Sequence, residues 1–518
     1  MGSRPGSQIS TAGNLTLNAG QDLSAKAATI NAGQALNVNA GNNVNITTGQ
    51  ASQSLDTANR VTSKGTLSSR TLSTRETSQS TTAVGSNLEG QSVSITAGQD
   101  LSVKGTNVLA DQSVNLNAGR NVTIEAAQNT QSQTSYRQET KSGLMSGGGI
   151  GFTIGSRMQS LDQQGQSTNA AQSTIGAING NVTIKAGGAY TQTGSDVMTP
   201  KGDIDITAKK VDITEARETG SQSTEQKFKQ SGLTVAITSP VLSALQTVQS
   251  QLQAAGNTGS GRMQALAGAN AAMNLKQAAD AIKAGQGDAN GVVKTGAQNP
   301  DGSPKTNPDG TPETAQGNAA DKAGGIGISI SVGSSSSQSK QSSSADNARG
   351  STLTAGGNVT IKATGDGQGS NLTVQGSSIQ AGQTTTLKAD NQVNLLAAQN
   401  TTSESSSNQS KSGSVGVAIQ LGAGGGGMGF TASASKATGQ GAGNGVTYTN
   451  TQVAGNTVNI ESGGDTTLTG AQIISAGMSG VGFGSDSGNA ASTTTAGISI
   501  PTALFSINAR GGFSALGI

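Results

Sequence analysis

The chain has 518 residues, of which 76 are glycine and 2% aromatic, with no cysteine, no histidine, and 31 basic against 29 acidic side chains. This composition excludes several large rounded cores, disulfides, thiol nucleophiles, imidazole bases and the usual zinc ligands, and its charge balance provides no basic stripe for nucleic acid. Disorder of the whole chain is disfavoured as well, because Val, Ile and Thr recur in register and the net charge is only +2. No run approaches the ~18 apolar residues of a membrane span. The start, Met1-Gly2-Ser3-Arg4-Pro5-Gly6, has no signal-peptide core and, with Gly6, no lipidation pattern. A repeat already under way at Leu15 points to a fragment of a longer secreted chain that lacks its own signal peptide.

In chain order, the first signal is a repeat. From Leu15 the apolar positions fall at Leu23, Ile30, Leu36 and Val44, in steps of 8, 7, 6 and 8, and from Val93 at Leu101, Val108, Val114 and Val122 in the same steps. A period of about 21 residues, made of short alternating segments, predicts a solenoid of stacked rungs. Glycine and asparagine suit its corners, so Asn31, Asn42 and Asn121 read as turn residues. Further blocks run from Val182 through Val197, Ile204 and Val211, from Val359 through Leu372, Ile379 and Leu387 to Val393, and from Val458 to Ile473.

Three blocks end alike. Polar arms follow Glu125, Glu215 and Leu396, reach Ser142-Gly143, Ser231-Gly232 and Ser412-Gly413, and lead into strictly alternating strands: Ile150, Phe152, Ile154; Leu233, Val235, Ile237; Val415, Val417, Ile419, Leu421. Ile326, Ile328, Ile330 and Val332 repeat the theme before another polar arm. Period-two patterning gives each strand one apolar face, so these segments are expected to leave the rod as long hairpins and to pack on it or on a partner. Ser239-Pro240 opens an expected helix with Val241, Leu245, Val248 and Leu252 on one stripe, and a second helix carries Met263, Leu266, Met273 and Ile282. The expected division is repeats over 1–127, a polar arm and hairpin over 128–181, repeats with a hairpin over 182–238, and a helical hairpin insertion over 239–285. A Pro/Gly/Asn linker over 286–325, an alternating strand and arm over 326–350, repeats with a hairpin over 351–473, and an irregular tail over 474–518 complete it.

Catalytic patterns are poor. Lys294-Thr295-Gly296 with Ser337-Gln338-Ser339-Lys340 or Ser433-Ala434-Ser435-Lys436 echoes a penicillin-recognising serine enzyme, but in the wrong order. The glycine run 422–429 lacks the Gly-Lys-Ser/Thr that holds phosphates. Asp22, Asp100, Asp366 and Asp465 are too sparse for stacked calcium sites, and Glu125 and Glu215, read as matching repeat positions, suit solvated rung ends better than a catalytic pair. The expectation is therefore a non-enzyme with no catalytic, cofactor-binding or metal residues, no cofactor and no small-molecule substrate.

The phrase Glu125-Ala126-Ala127-Gln128, running to Lys141-Ser142-Gly143-Leu144 and Gly147-Gly148-Gly149-Ile150-Gly151-Phe152-Thr153-Ile154-Gly155-Ser156, resembles the haemagglutinin repeat of filamentous haemagglutinins and contact-dependent growth inhibition toxins. Ser231-Gly232-Leu233-Thr234-Val235-Ala236-Ile237 with Ser239-Pro240-Val241, and Gly261-Arg262-Met263-Gln264-Ala265-Leu266, resemble the insertion in the later repeat region of those proteins. The resemblance covers about residues 9–473. It implies an all-β, right-handed parallel β-helix exported through an outer-membrane two-partner transporter and displayed on the surface of a Gram-negative bacterium. Its implied role is a repeat stalk that carries a C-terminal toxin, outside this chain, to the outer membrane or a surface receptor of a neighbouring cell, the alternative being an adhesin segment for host or bacterial surfaces. Neither the pretoxin motif Val-Glu-Asn-Asn nor a toxin domain follows the repeats.

Overall fold

In a strand such as Val44–Thr47, side chains point alternately to opposite sides, so Val44 and Ile46 face one way and Asn45 and Thr47 the other. Three such strands, joined by short corners, wrap one rung around the inward-facing residues. The computed structural model describes residues 6–146, 151–238, 292–296, 314–316, 326–421, 427–475, 481–484 and 494–496. Its rungs stack in parallel into a β-helix: a 9-stranded sheet forms one wall, and a 19-stranded sheet supplies the other two. Register follows the sequence repeat. Leu36 lies on Val93, Leu101 on Val122, and Val114 on Val182. Leu36, Val44, Val93, Leu101, Val108, Val114 and Val122 are completely buried. One column of small aliphatic side chains per inward position is enough core for this shape, which explains the low aromatic content.

A few inward core positions are polar, Thr385 between Val359 and Val458 among them; the largest polar pair lies on one rung. Tyr190 and Gln192 stand where neighbouring rungs have Val122 and Ile124. Both are buried and satisfied: the Tyr190 hydroxyl donates to Gln192 Oε1 at 2.8 Å, and Gln192 Nε2 donates to the Ser195 carbonyl at 2.6 Å.

At one corner of the rod the rungs alternate between two solutions. In the first, the chain turns at once through Ala27, Gly105, Gly194, Gly376 or Gly470, all at positive φ between 47° and 64°. In the second, it leaves the rod as a long hairpin and returns. The hairpins are β1 (Gly49–Lys64) with β2 (Ser68–Val84), β3 (Ala127–Ser146) with β4 (Gly151–Ala171), β5 (Ala216–Thr238) with β6 (Ile326–Arg349), and β7 (Ala398–Leu421) with β8 (Gly427–Thr449). A hydroxyl closes both kinds of corner by donating to the carbonyl that ends the preceding strand. Across tight corners this joins Thr106 to Lys104, Ser195 to Thr193 and Ser377 to Gln375 at 2.7–3.0 Å. Across hairpin roots it joins Ser86 to Thr47, Ser173 to Glu125, Ser351 to Thr214 and Thr451 to Leu396 at 2.6–2.8 Å. A hairpin is thus an insertion into a corner that keeps its own hydrogen bond.

The alternation has a spatial consequence. Rungs repeat at about 4.8 Å and so do strands within a sheet, so a two-stranded hairpin on every second rung fills the available height. The returning strand of one hairpin pairs with the outgoing strand of the next: β2 with β3, β4 with β5, β6 with β7. The result is one eight-stranded antiparallel sheet in chain order, a fin along the rod.

Several expectations change. The hairpin β1–β2 lies inside the stretch read as plain repeats over 1–127, because its strands are polar on both faces and carry no period-two signal. Residues 326–350 are not a separate unit: β6 is the return strand of β5, with Leu233 opposite Val332. The expected packing of hairpins on the rod is replaced by pairing edge to edge. Asn31 sits in the strand Thr29–Ala32 rather than in a turn. Past Ile473, where the tail was expected to be irregular, Val481–Gly484 still pairs in parallel, Phe483 on Ile460. Within the expected linker, Val292–Gly296 pairs antiparallel with Thr314–Gln316. The expected helical hairpin over 239–285 lies outside the described residues.

Candidate functional surface

The residues weighed for chemistry are separated by strand geometry. Ser337 and Lys340 lie in β6 and Ser433 and Lys436 in β8; three residues apart on a strand, each pair points to opposite faces, so neither serine meets its lysine. Glu125 and Glu215 do not share a repeat position: Glu125 pairs with Thr193 and, a rung further, Thr214, leaving Glu215 one residue later at the root of β5. Glu125 is tied to Lys104 at 2.9 Å. Asp22 and Asp100 stack with Asn43 and Asn121 along one corner, and their oxygens accept N–H donors from those asparagines. Arg120 beside Asp100 holds its carboxyl below the usual range. Among the described residues no cluster of acids suits a metal ion.

What the fold does bring together is the distal end of the fin. Antiparallel register converts the alternating strands into continuous cross-strand rows. Leu144, Ile154, Leu233, Val332, Val415 and Ala432 form one. Further out, Phe152, Val235, Ile330, Val417 and Phe430 form a second, and Ile237, Ile328, Ile419 and Met428 a third. Positions two apart share a face, so all three rows lie on one side of the sheet. They are open to solvent: Phe430 is 89% exposed, Met428 72% and Val415 63%. An apolar area this continuous is unusual on the surface of a soluble protein.

The rows nearer the rod change character. Ser142, Ser156, Ser231 and Ser334 form a hydroxyl row on the apolar face, and Met158, Lys229, Ser336, Lys411 and Lys436 form the next row on that face. On the opposite face Arg70 and Lys141 converge on Glu139 at 2.6 and 3.0 Å and hold its carboxyl below the usual range. Arg157 rests on the Phe228 ring, 5.9 Å from its centre. Nearer the root the fin is rich in Ser, Thr and Gln, with a groove of about 380 Å³ lined by Gln131, Gln163 and Gln166 among others.

Sequence reasoning found the alternating strands but not the surface they build, because a single strand does not reveal which strand lies beside it. The serine of each Ser-Gly pair was a usable signal for three of the strands; Gly143, Gly155, Gly232 and Gly333 share the row beside it, and a Cβ on Gly143, whose φ is +96°, would lie 2.1 Å from the Leu67 carbonyl oxygen.

Comparison with known proteins agrees with this architecture. The profile of the hemagglutinin repeat matches residues 3–70, 67–233 and 330–499. The chain is 38% identical over 471 residues to the 16S rRNA endonuclease CdiA of Enterobacter cloacae, covering 90% of this chain and 13% of that protein. It is 36% identical over 474 residues to the tRNA nuclease CdiA of Escherichia coli STEC_O31, and 34% identical over 477 residues to the deoxyribonuclease CdiA of Dickeya dadantii, again 90% of this chain and 13% of each relative. The chain therefore spans about an eighth of the length of these relatives. No solved structure matches it. Stacked three-sided rungs, hairpins on alternate rungs and these matches together place the chain in the hemagglutinin repeat family.

Proposed function

We propose that this chain is the non-catalytic repeat stalk of a secreted exoprotein of a Gram-negative bacterium, which carries a toxin to neighbouring bacteria by contact. The toxin lies outside this chain, and the partners are an outer-membrane transporter of the two-partner type and the outer membrane or a surface receptor of the target cell. The relatives are named for different nuclease activities while matching this same non-catalytic segment, which supports a shared carrier with exchangeable cargo.

The observation that carries the reading is the exposed apolar end of the fin. A rod alone serves as a spacer; three solvent-facing apolar rows held out from it supply a surface whose contact with a bilayer is driven by removal from water. The test is cosedimentation of the purified chain with phospholipid vesicles. The chain is expected to bind, and the triple substitution Ile330→Ser, Val417→Ser, Phe430→Ser to abolish binding while leaving the circular dichroism spectrum of the rod unchanged. A chain that binds no bilayer of any composition overturns the reading. The glutamine-lined groove near the root favours an adhesin as the second reading: saturable attachment to whole cells, retained by the triple variant, would support it.

A further inference from the structure

We propose that the lysine row of the fin, Lys229, Lys411 and Lys436, receives the phosphate groups of anionic membrane lipids whose acyl chains lie on the apolar rows beyond it. The inference rests on the bilayer reading above and specifies which lipids that surface selects.

Three observations carry it. The first is the order of chemistries along one face: apolar rows at the end, then a row of small side chains, Ser142, Ser156, Ser231 and Ser334 on β3 to β6 continued by Gly413 and Ala434 on β7 and β8, then the lysines. From the nearest apolar row to the lysine row is four residues along each strand, roughly 13 Å, and flexible lysine stems let the ammonium groups reach towards the interface. Acyl chain, ester and phosphate follow one another in the same order.

The second is the distribution of charge. Among the described residues no Asp, Glu, Lys or Arg lies further out on β3 to β8 than Lys141, Arg157, Gln230, Ser335, Ser412 and Ser435. Lys229, Lys411 and Lys436 have no acidic partner among the described residues, whereas Arg70 and Lys141 on the other face share Glu139. The nearest acids on the lysine face, Asp162 and Glu225, stand four residues nearer the root, and Glu225 is held by Lys227 at 2.7 Å. The lysine charges are therefore left for an external anion. The third is shape: a groove of about 640 Å³ lies beside the row, lined by Lys229, Lys411, Met158, Ser231, Ser334 and Ser336. A soluble anion would use the groove and leave the apolar rows in water; an anionic lipid satisfies both.

The experiment uses the whole purified chain with two vesicle types, phosphatidylcholine alone and a two-to-one mixture of phosphatidylcholine with phosphatidylglycerol. Each lysine at an anionic surface is worth roughly fivefold in partitioning, so three give about a hundredfold preference for the mixed vesicles. Molar salt is expected to erase that preference. The variant Lys229→Gln, Lys411→Gln, Lys436→Gln is expected to lose the preference and keep its binding to phosphatidylcholine. Equal binding of the native chain to both vesicles, or an unchanged preference in the variant, overturns the proposal and leaves the bilayer reading standing. Displacement by millimolar inorganic phosphate at constant ionic strength would identify a site for free phosphate and also overturn it. Failure to bind either vesicle overturns the bilayer reading and this inference with it.

Discussion

Rod and fin are both β-structure made from similar short-range patterns, yet they are held together differently. In the rod the rungs stack in parallel, alternate side chains of the inner rungs are buried, and each inner rung is fixed by the aliphatic columns above and below. In the fin the strands are antiparallel and 16 to 24 residues long, and of the described fin residues only Ala127, Met145, Thr153 and Ala398 are buried. A sheet without a core is marginal by itself. This one is aligned by its roots: the rod sets strand spacing and register at one end, and backbone ladders and cross-strand side-chain pairs carry that register outward. The contrast teaches that a solenoid can serve as a template for a sheet that would not persist alone, freeing the sheet's apolar residues for contact rather than for core.

An aspartate placed at an aliphatic position of each region separates them most. Ile184 is completely buried in the rod, and Ile184→Asp, which places an unpaired charge there, is expected to cost about 4 kcal/mol or more, read as a lowered denaturant midpoint. Val332 is 56% exposed in the fin, and Val332→Asp is expected to stay within about 0.5 kcal/mol. Equal effects would mean that the fin shares the rod's core.

Glycine gives the next contrast. A Cβ on Gly376, whose φ is +55°, would lie 2.4 Å from the Ala398 Cβ at the root of β7, whereas one on Gly429 in β8 would meet nothing within 4 Å. Gly376→Val is expected to cost about 2–3 kcal/mol, from left-handed strain and the root contact together. Gly429→Val is expected to be neutral or slightly stabilising in the same unfolding measurement.

In the rod, alkaline pH reports on one buried phenol. Burial pushes the Tyr190 phenol well above its ordinary 10.0. The folded chain keeps the phenol neutral while the unfolded chain ionises it, so this contribution is intact below pH 10 and declines by about 1.4 kcal/mol per pH unit above it, until the folded pKa is reached. Tyr190→Phe is expected to remove that slope. At neutral pH it costs about 1–3 kcal/mol, because Gln192 Oε1 loses its donor. An unchanged alkaline slope in the variant would place the titration elsewhere.

Only a small effect is expected from the largest edit. Replacing residues 48–85 by a single glycine gives the second rung the corner that the third has at Gly105. With Ser86 still closing onto Thr47, the rod is expected to keep its unfolding midpoint within about 1 kcal/mol, because long corner insertions add little to its stability. Collapse of the rod on this excision would show that the fin supports the rod rather than the reverse.

Much of the fold was legible in the chain. The steps from Leu15 to Val44 and from Val93 to Val122 sufficed for rungs and register, because a stacked core demands an apolar side chain at each fixed interval. The alternating strands after Ser142-Gly143, Ser231-Gly232 and Ser412-Gly413 were legible for the same reason. The pairing of β5 with β6 was not, since residues 239–325 separate them in sequence, nor was β1–β2, whose polar faces leave no periodic trace.

Local residue patterns thus determined which segments are strands, which of their side chains are buried in the rod and that the chain is a solenoid, since these follow from side-chain alternation and repeat length alone. Tertiary structure alone decided that the hairpins join into one sheet and that scattered alternating residues become three apolar rows above a row of lysines. The physical reason is commensurate spacing: two strands occupy the height of two rungs, so neighbouring hairpins pair only because the rod delivers them side by side.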